Sequence, residues 1–514
     1  MSSTANRVIK NSGYLYANMG FSMFVSLYST RLILNALGTS DFGIFAIVGG
    51  AIGMLGFIGG AMNVSTQRFI NYAEGANKKE TQKSIFNISI IIHSILSFIF
   101  LIVLEIAFYI FFNNILNIPQ ERVYAAKCIY QFMVLSTIMT ILTVPYNAIV
   151  TAHENMLYYA KIGFLQTFLK LCIALFITYT MYDKLIMYGL LMAILSITVM
   201  IIMRIYCQRK YEECIINPRK YIDKQLMKKM IKFAGWNMIT TSSSMISMYG
   251  MGLILNNIFG TILNAAQGIA NQISGQLMVF SNTMLSAVNP IIGKKAGEGN
   301  YKSLVETAQT TSKMSSLLLA FFAIPFMIEA PWIMQIWLKN VPEWAILFCR
   351  LEILRNIIDQ LVNGINGAIN ADGRIYRYSI FRSIFNFIPL PITFYLFSIG
   401  FSPIWLYIVW IICWSILGGS VTIFFCHKNC GLNIYEYYKN VLLKSVTLFL
   451  IVGSSGLIPH YIMHSSLTRT ISVCLTTSIA FLFSFWTIAI TPKERNDLKN
   501  VLSTFRKKIY QKYK

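Results

Sequence analysis

Fourteen runs of roughly twenty predominantly apolar residues, separated by short polar breaks, occupy most of this 514-residue chain. A helix needs about 20 residues to cross the hydrocarbon of a bilayer, and there only helices or closed barrels satisfy their own backbone. The runs lie at about 12–36, 42–63, 85–112, 127–150, 157–180, 185–206, 233–256, 262–289, 314–338, 344–369, 376–398, 402–426, 441–459 and 468–490. They predict an all-α membrane protein of about fourteen transmembrane helices. Outer connections such as Gly38-Thr39-Ser40-Asp41 and Tyr182-Asp183-Lys184 leave no room for a soluble domain. Charged residues make up 12% of the chain, against roughly 25% in soluble domains. That excludes a soluble enzyme, a disordered chain and a coiled coil. The nine cysteines are scattered singly, so they read as small hydrophobes, and neither a metal site nor a cofactor is expected. The first apolar run begins after Lys10, contains Arg31 and lacks a small-residue cleavage site, so no cleavable signal is expected.

The net charge of +23 would suggest nucleic acid in a soluble protein, but here it follows the positive-inside rule. Alternation places segments 1–11, 64–84, 151–161, 204–232, 290–313, 370–382, 427–444 and 491–514 on one side, and these hold 34 of the 43 Lys and Arg residues. The opposite side holds six, and Lys170, Arg350 and Arg355 fall inside spans. The bias predicts a multi-pass protein with both termini cytoplasmic and no nucleic-acid partner. Two basic segments look amphipathic. Ile222, Leu226, Met227, Met230 and Ile231 oppose Lys224, Lys228, Lys229 and Lys232, and Leu498, Val501, Leu502, Phe505 and Ile509 lie among Lys499, Arg506, Lys507 and Lys508. Such helices fit the headgroup layer, with anionic phospholipid headgroups as partners; a solvated basic tail is the alternative for the second.

The chain repeats itself weakly at an offset near 222 residues. Gly13-Tyr14 answers Gly235-Trp236, Leu32-Ile33-Leu34-Asn35 answers Leu253-Ile254-Leu255-Asn256, and Glu74-Gly75 answers Glu298-Gly299. Six helices separate the copies, so both face the same way, and an axis along the membrane normal should relate them. The predicted organisation is a six-helix lobe at 1–221, a second at 222–426, and two further helices with a basic tail at 427–514.

Polar residues inside the spans mark candidate sites. Glu352, Arg355, Asn356, Asp359, Asn363, Asn366 and Asn370 form one stripe on the run 344–369. Charges at mid-bilayer depth cost several kcal/mol against lipid, so the stripe faces either a wet cavity that holds a ligand or a closed ladder of ion pairs. Asn264, Gln267, Asn271, Asn282 and Asn289 form an uncharged stripe on 262–289, suited to gluing helices or to meeting a hydroxyl-rich ligand. Asn11, Asn18, Ser22, Ser26 and Ser29 form a milder one on the first run. Gly49/Gly53 and Gly56/Gly60 have the spacing of close helix packing. Arg31, Lys170 and Arg350 are further intramembrane cations, with snorkelling an alternative for Arg31 and Arg350. Glu105 and Asp359 are candidate ion-coupling carboxylates. Cations slightly lead among the deep charges, which favours an anionic ligand.

The opening RVIKNSGYLYANMGFSMFVSLYSTRLILNALGTSDFGIFAIVGG, followed by TQRFINYAEG, resembles the start of bacterial oligosaccharide flippases. These form the polysaccharide-transporter branch of the multidrug/oligosaccharidyl-lipid/polysaccharide exporter superfamily. Arg31 through Phe45 is the most specific piece. The resemblance implies a protein of the cell inner membrane that is not an enzyme. It would flip a polyprenyl-diphosphate-linked oligosaccharide from the cytoplasmic to the periplasmic leaflet, for O-antigen or capsule. Its partners would be that lipid-linked anionic oligosaccharide and the polysaccharide polymerase machinery. The resemblance also implies cavity cations, for which Arg31, Lys170, Arg350 and Arg355 are candidates by depth alone. The drug-exporting branch, a cation-coupled antiporter, is the alternative, although the first run lacks the acidic residue it typically uses. A membrane-bound glycan polymerase is a more distant one.

Overall fold

The computed structural model describes residues 2–53, 56–112, 118–338, 340–492 and 494–496. The amphipathic tail expected around Leu498–Ile509, and the surroundings of Gly53, Gly56 and Gly60, lie outside the described residues. Among them the structure is helical throughout, with no strand. The first repeat comprises α1 (Ser2–Gly53), α2 (Gly56–Gly75), α3 (Lys79–Ile110), α4 (Val123–Ala152), α5 (Met156–Tyr179) and α6 (Lys184–Lys210). A single-turn α7 (Pro218–Tyr221) leads to α8 (Lys224–Phe259), α9 (Thr261–Gly297), α10 (Tyr301–Leu338) and α11 (Ala345–Asp372). A span broken at Pro389 follows as α12 (Tyr376–Phe387) and α13 (Pro389–Ser398). The next is α14 (Trp405–Trp410) and α15 (Gly418–Cys430), joined by a π-helical stretch at Ile411–Leu417. The last two spans are α16 (Ile434–Tyr437) continuing into α17 (Lys444–Ile462), and α18 (Leu467–Ser484).

Ten of these spans are long and apolar enough to cross a membrane. Helices α9 and α11 are not among the ten, and these are the two whose amide and charged stripes stand out in sequence. The protein is thus an all-α, multi-pass membrane protein, built as two six-helix repeats with two extra helices.

The repeat is visible in backbone geometry. Helix α1 breaks at Gly38 (φ 76°, ψ 172°), and α8 gives way to α9 at Gly260 (φ 83°, ψ −174°), 222 positions later. The turns before α3 and α10 reach positive φ at Asn77 and Gly299, again 222 apart. The true partner of Gly299 is therefore Asn77, and the Glu74-Gly75 match is two residues out of register. Helices α4 and α11 begin at Val123 and Ala345, also 222 apart. Each is the central helix of its repeat: α4 packs against α2, α3, α5 and α6, and α11 packs against α9, α10, α14 and α15.

Two compact units result, Asn11–Met238 and Met1–Lys10 with Ile239–Lys514. The division falls inside α8 rather than in the loop at 221/222, because the first turns of α8 bury Met230 and Phe233 against the first repeat. In the first unit, Arg122 donates to both Asp41 and Asp183, joining three connections that alternation places on one side. His153 does the same on the other side. Its ring reaches Glu74 at 3.3 Å and Glu213, and stacks on Tyr211. In the second unit, Asp372 accepts from Tyr301 and Arg374, and Arg374 reaches Asn429 O, which gathers the corresponding turns.

The two extra helices are fastened to α10 by ionic contacts near both ends. Glu329 accepts from Arg469 at 2.8 Å and lies 2.8 Å from His460 Nδ1. Lys313, sixteen residues earlier on α10, donates to Glu494 at 2.7 Å and to Ala489 O at 2.9 Å. Glu329 and Lys313 are almost fully buried, so each contact withdraws charge from lipid by pairing it.

Both Gly38 and Gly260 hold a conformation that is nearly glycine-only, and a Cβ at either would meet open space. Gly38→Ala or Gly260→Ala is therefore expected to cost about 1–3 kcal/mol through backbone strain alone, read as a lower midpoint of thermal unfolding in detergent. His153 provides a second test. Burial disfavours its charged form, but hydrogen bonds to Glu213 and Glu74 outweigh this and push its pKa up to about 9 from 6.5. A raised folded-state pKa stabilises fully below 6.5, and the contribution is lost as pH rises through 9. Thermal stability should fall across that window in the parent protein, and the fall should be smaller in His153→Gln.

Candidate functional site

The polar stripe of α11 folds into a closed ladder of charges. Arg355 forks onto Glu352, with Nε to Oε2 at 3.1 Å and Nη2 to Oε1 at 2.6 Å. Its Nη1 donates to Asp359 at 2.8 Å, and Nη2 also reaches Asn356 Oδ1 at 3.0 Å. The i,i+3 and i,i+4 spacing that places these groups on one helical face makes the pairing local. Asn356 in turn donates to Ser274 on α9. Trp410 and Trp414 cover the guanidinium, their ring centres 4.7 and 5.6 Å from its carbon.

A second cation stands beside the ladder. Arg382 on α12 lies 5.8 Å from the Trp414 ring centre and donates to Trp414 O at 2.9 Å within the π-helical stretch. A Cβ at Gly418 would collide with Arg382 Nη1, so glycine keeps this seat open. Trp414 thus contacts two guanidinium groups. Glu352 and Asp359 are matched in number by Arg355 and Arg382, and the network is formally neutral. Asp359 Oδ2 is paired with Arg355, and Ser415 of the π-helical stretch faces the same buried carboxylate.

The other candidates separate from this network. Arg350 donates from Nε to Met327 O at 2.8 Å and from Nη2 to Ile328 O at 3.4 Å. Met327 is four residues before Pro331, which has no N–H to offer. Arg350 therefore satisfies a carbonyl that a proline in α10 leaves free. Of the two readings of the stripe, the ion ladder is what the side chains form: Arg355 has four of its five donors engaged within its own unit. Asn366 accepts from Tyr378 at 3.0 Å and from Asn370 at 3.3 Å, whereas Asn363 is half-buried. On α9, Ser274, Met278 and Ser281 make the contacts to α10 and α11, while Asn271 is half-buried and Asn282 exposed.

Arg31, Lys170 and Glu105 belong to the first unit. Glu105 on α3 accepts from Gln131 on α4 at 3.2 Å. By helical spacing Lys170 shares a face of α5 with Gly163 and Thr167, which meet α1. On that face Ser22 and Thr167 hydrogen-bond at 2.8 Å, Phe21 packs on Phe164, and a Cβ at Gly163 would come within 2.5 Å of Asn18. The contact recurs in the second unit, where Asn386 donates to Thr240 O, Ser243 and Ser244. Thr240 and Ser244 are Asn18 and Ser22 displaced by 222 positions. The charges on it do not recur: Leu390-Pro391-Ile392 occupies the region corresponding to Lys170. Lys170 lies 14 residues into the 24-residue α5, about 21 Å from its start. Neither Lys170 nor Arg31 has an ion-pair or hydrogen-bond partner among the described residues, and both side chains are exposed.

Residue spacing gives no warning of Arg382, Lys313 or Glu329, because each sits at or beyond an expected span edge or alone in an apolar run. The i,i+4 pair Trp410 and Trp414 was the available signal for a cation-covering face.

The sequence profile of the polysaccharide biosynthesis protein family matches residues 8–295, more than half of the chain. The chain belongs to that family. No curated protein matches it in sequence. Solved structures supply the fold. An outward-facing multidrug-resistance MATE family transporter of the MOP superfamily superposes with a TM-score of 0.68 at 15% identity, covering 83% of this chain and 95% of that one. A mutant MATE protein gives 0.71 at 14% identity, with 83% and 96% covered. A MOP superfamily transporter from Pyrococcus furiosus, described as having a binding pocket of reversed polarity, gives 0.67 at 15%, with 83% and 95% covered. The fold is that of MOP superfamily transporters.

Breaking the ladder on one side leaves uncompensated buried charge. Arg355→Ala is expected to destabilise the protein by about 3–5 kcal/mol. The charge-matched combination Glu352→Gln with Arg355→Met, which leaves Asp359 opposite Arg382, should recover most of that loss in thermal unfolding of the purified protein.

Proposed function

We propose that this protein flips a polyprenyl-diphosphate-linked oligosaccharide from the cytoplasmic to the periplasmic leaflet by alternating access. The observation that carries this reading is the polysaccharide biosynthesis family match on a chain with the MOP transporter fold. In this reading the protein lies in the inner membrane with both termini cytoplasmic, as the distribution of Lys and Arg favours. Lys170, an unpaired cation midway along α5, and Arg31 are the first candidates for the diphosphate. Asn271, Asn282, Asn363 and Asn366 supply donors and acceptors suited to hydroxyl groups. Fixed cations replace the water that a diphosphate sheds in hydrocarbon, which lowers the barrier to crossing. A negative interior assists outward movement of an anion by about 2.3 kcal/mol per charge per 100 mV. Arg355, Glu352, Asn356 and Asp359 enter with Arg382 as a formally neutral block that orders α11, and Asp359 and Glu105 are the candidate carboxylates for a coupling ion.

A drug-antiporter reading shares the fold but loses its most natural acid, since Asp41 is paired with Arg122. Deleting the gene should make lipid-linked sugar accumulate on the cytoplasmic leaflet with drug susceptibility unchanged. Lys170→Gln should lower surface glycan at least tenfold while the protein still inserts at normal levels. Unaltered glycan in the deletion strain, with new drug sensitivity, would move the protein to the antiporter class.

A further inference from the structure

The segment between the two repeats carries a strongly basic surface outside the candidate site. Residues 215–232 contain six basic side chains, Arg219, Lys220, Lys224, Lys228, Lys229 and Lys232, against one acid, Asp223. Asp223 caps α8, accepting from the backbone N–H groups of Gln225 and Leu226. None of Lys224, Lys228, Lys229 and Lys232 has an ion pair or hydrogen bond among the described residues, and all four are exposed.

The inner face of the segment is anchored firmly. Asn87 on α3 donates to Ile215 O and accepts from Asn217 N–H, each at 2.8 Å. Met230 and Phe233 are buried, and Phe69 packs edge-on against Phe233. Beside those lysines the segment also exposes four isoleucines along its edges. Ile215, Ile216, Ile222 and Ile231 are 52%, 40%, 41% and 51% exposed.

We infer that residues 215–232 form a docking surface for anionic phospholipid headgroups. The isoleucines dip to the acyl boundary while the lysines take the phosphates. A soluble phosphate would account for the lysines but leave four exposed isoleucines without a partner, whereas a leaflet edge accounts for both. The anchors to α3 hold the segment in place, so headgroups bind a formed surface. Each lysine near an anionic surface is worth about fivefold in partitioning.

The test is hydrogen–deuterium exchange of the full chain in nanodiscs of phosphatidylcholine alone or mixed with phosphatidylglycerol. Amides of 215–232 should exchange at least about fivefold more slowly in the anionic discs, and high salt should abolish the difference. Changing Lys224, Lys228, Lys229 and Lys232 together to Gln should remove the lipid-dependent slowing and leave exchange in α3 and α4 unchanged. Equal exchange in both discs would overturn the proposal, as would slowing that survives the four substitutions. Inorganic diphosphate that reproduces the slowing in phosphatidylcholine discs would make the segment an anion site instead and would equally overturn it.

Discussion

Hydrocarbon offers no hydrogen bonds, and each buried peptide group or charge in a membrane must find its partner within the protein. Every described span answers this with helix. Where a proline interrupts the helical ladder a side chain can supply the answer, as when Arg350 takes the carbonyl that Pro331 leaves open. Charges obey the same rule. Glu329 meets Arg469 and His460, Lys313 meets Glu494, and Arg355 lies between Glu352 and Asp359. These pairs fix which helices can be neighbours, because a slipped register would strand a charge in lipid.

Against that background Lys170 is unusual. Helical spacing puts it on the same face of α5 as the α1–α5 contact, which both repeats build from Ser, Thr and Asn, and its counterpart in the second repeat is Ile392. The second repeat concentrates its charge on α11, where the corresponding stretch of α4 has Tyr130, Met133 and Thr137. Duplication supplied two equivalent scaffolds, and substitution then gave each a different electrostatic character. An unpaired ammonium on one and a neutralised ladder on the other can divide the tasks of holding an anion and ordering a bundle.

Much of this was legible from residues alone. The apolar runs and charge asymmetry gave the spans and their alternation, and the salt-linked turns at Arg122 and His153 gather connections that alternation grouped. The 222-residue offset appears in the positive-φ turns at Gly38 and Gly260. The site was less legible. Helical spacing showed that Glu352, Arg355 and Asp359 share a face, but not that the face closes on itself under Trp410 and Trp414. Depth along a helix suggested Arg350 as a ligand, whereas its partner is a carbonyl of another helix.

The sequence by itself determined that this chain is a duplicated bundle of membrane helices with one strongly basic side, because hydropathy, periodicity and charge bias are properties of order along the chain. Only the tertiary structure decided which intramembrane cations are spoken for. Whether a guanidinium is open or satisfied depends on groups that packing brings from other helices, and Arg355 and Lys170, both read as deep cations, come out on opposite sides of that distinction.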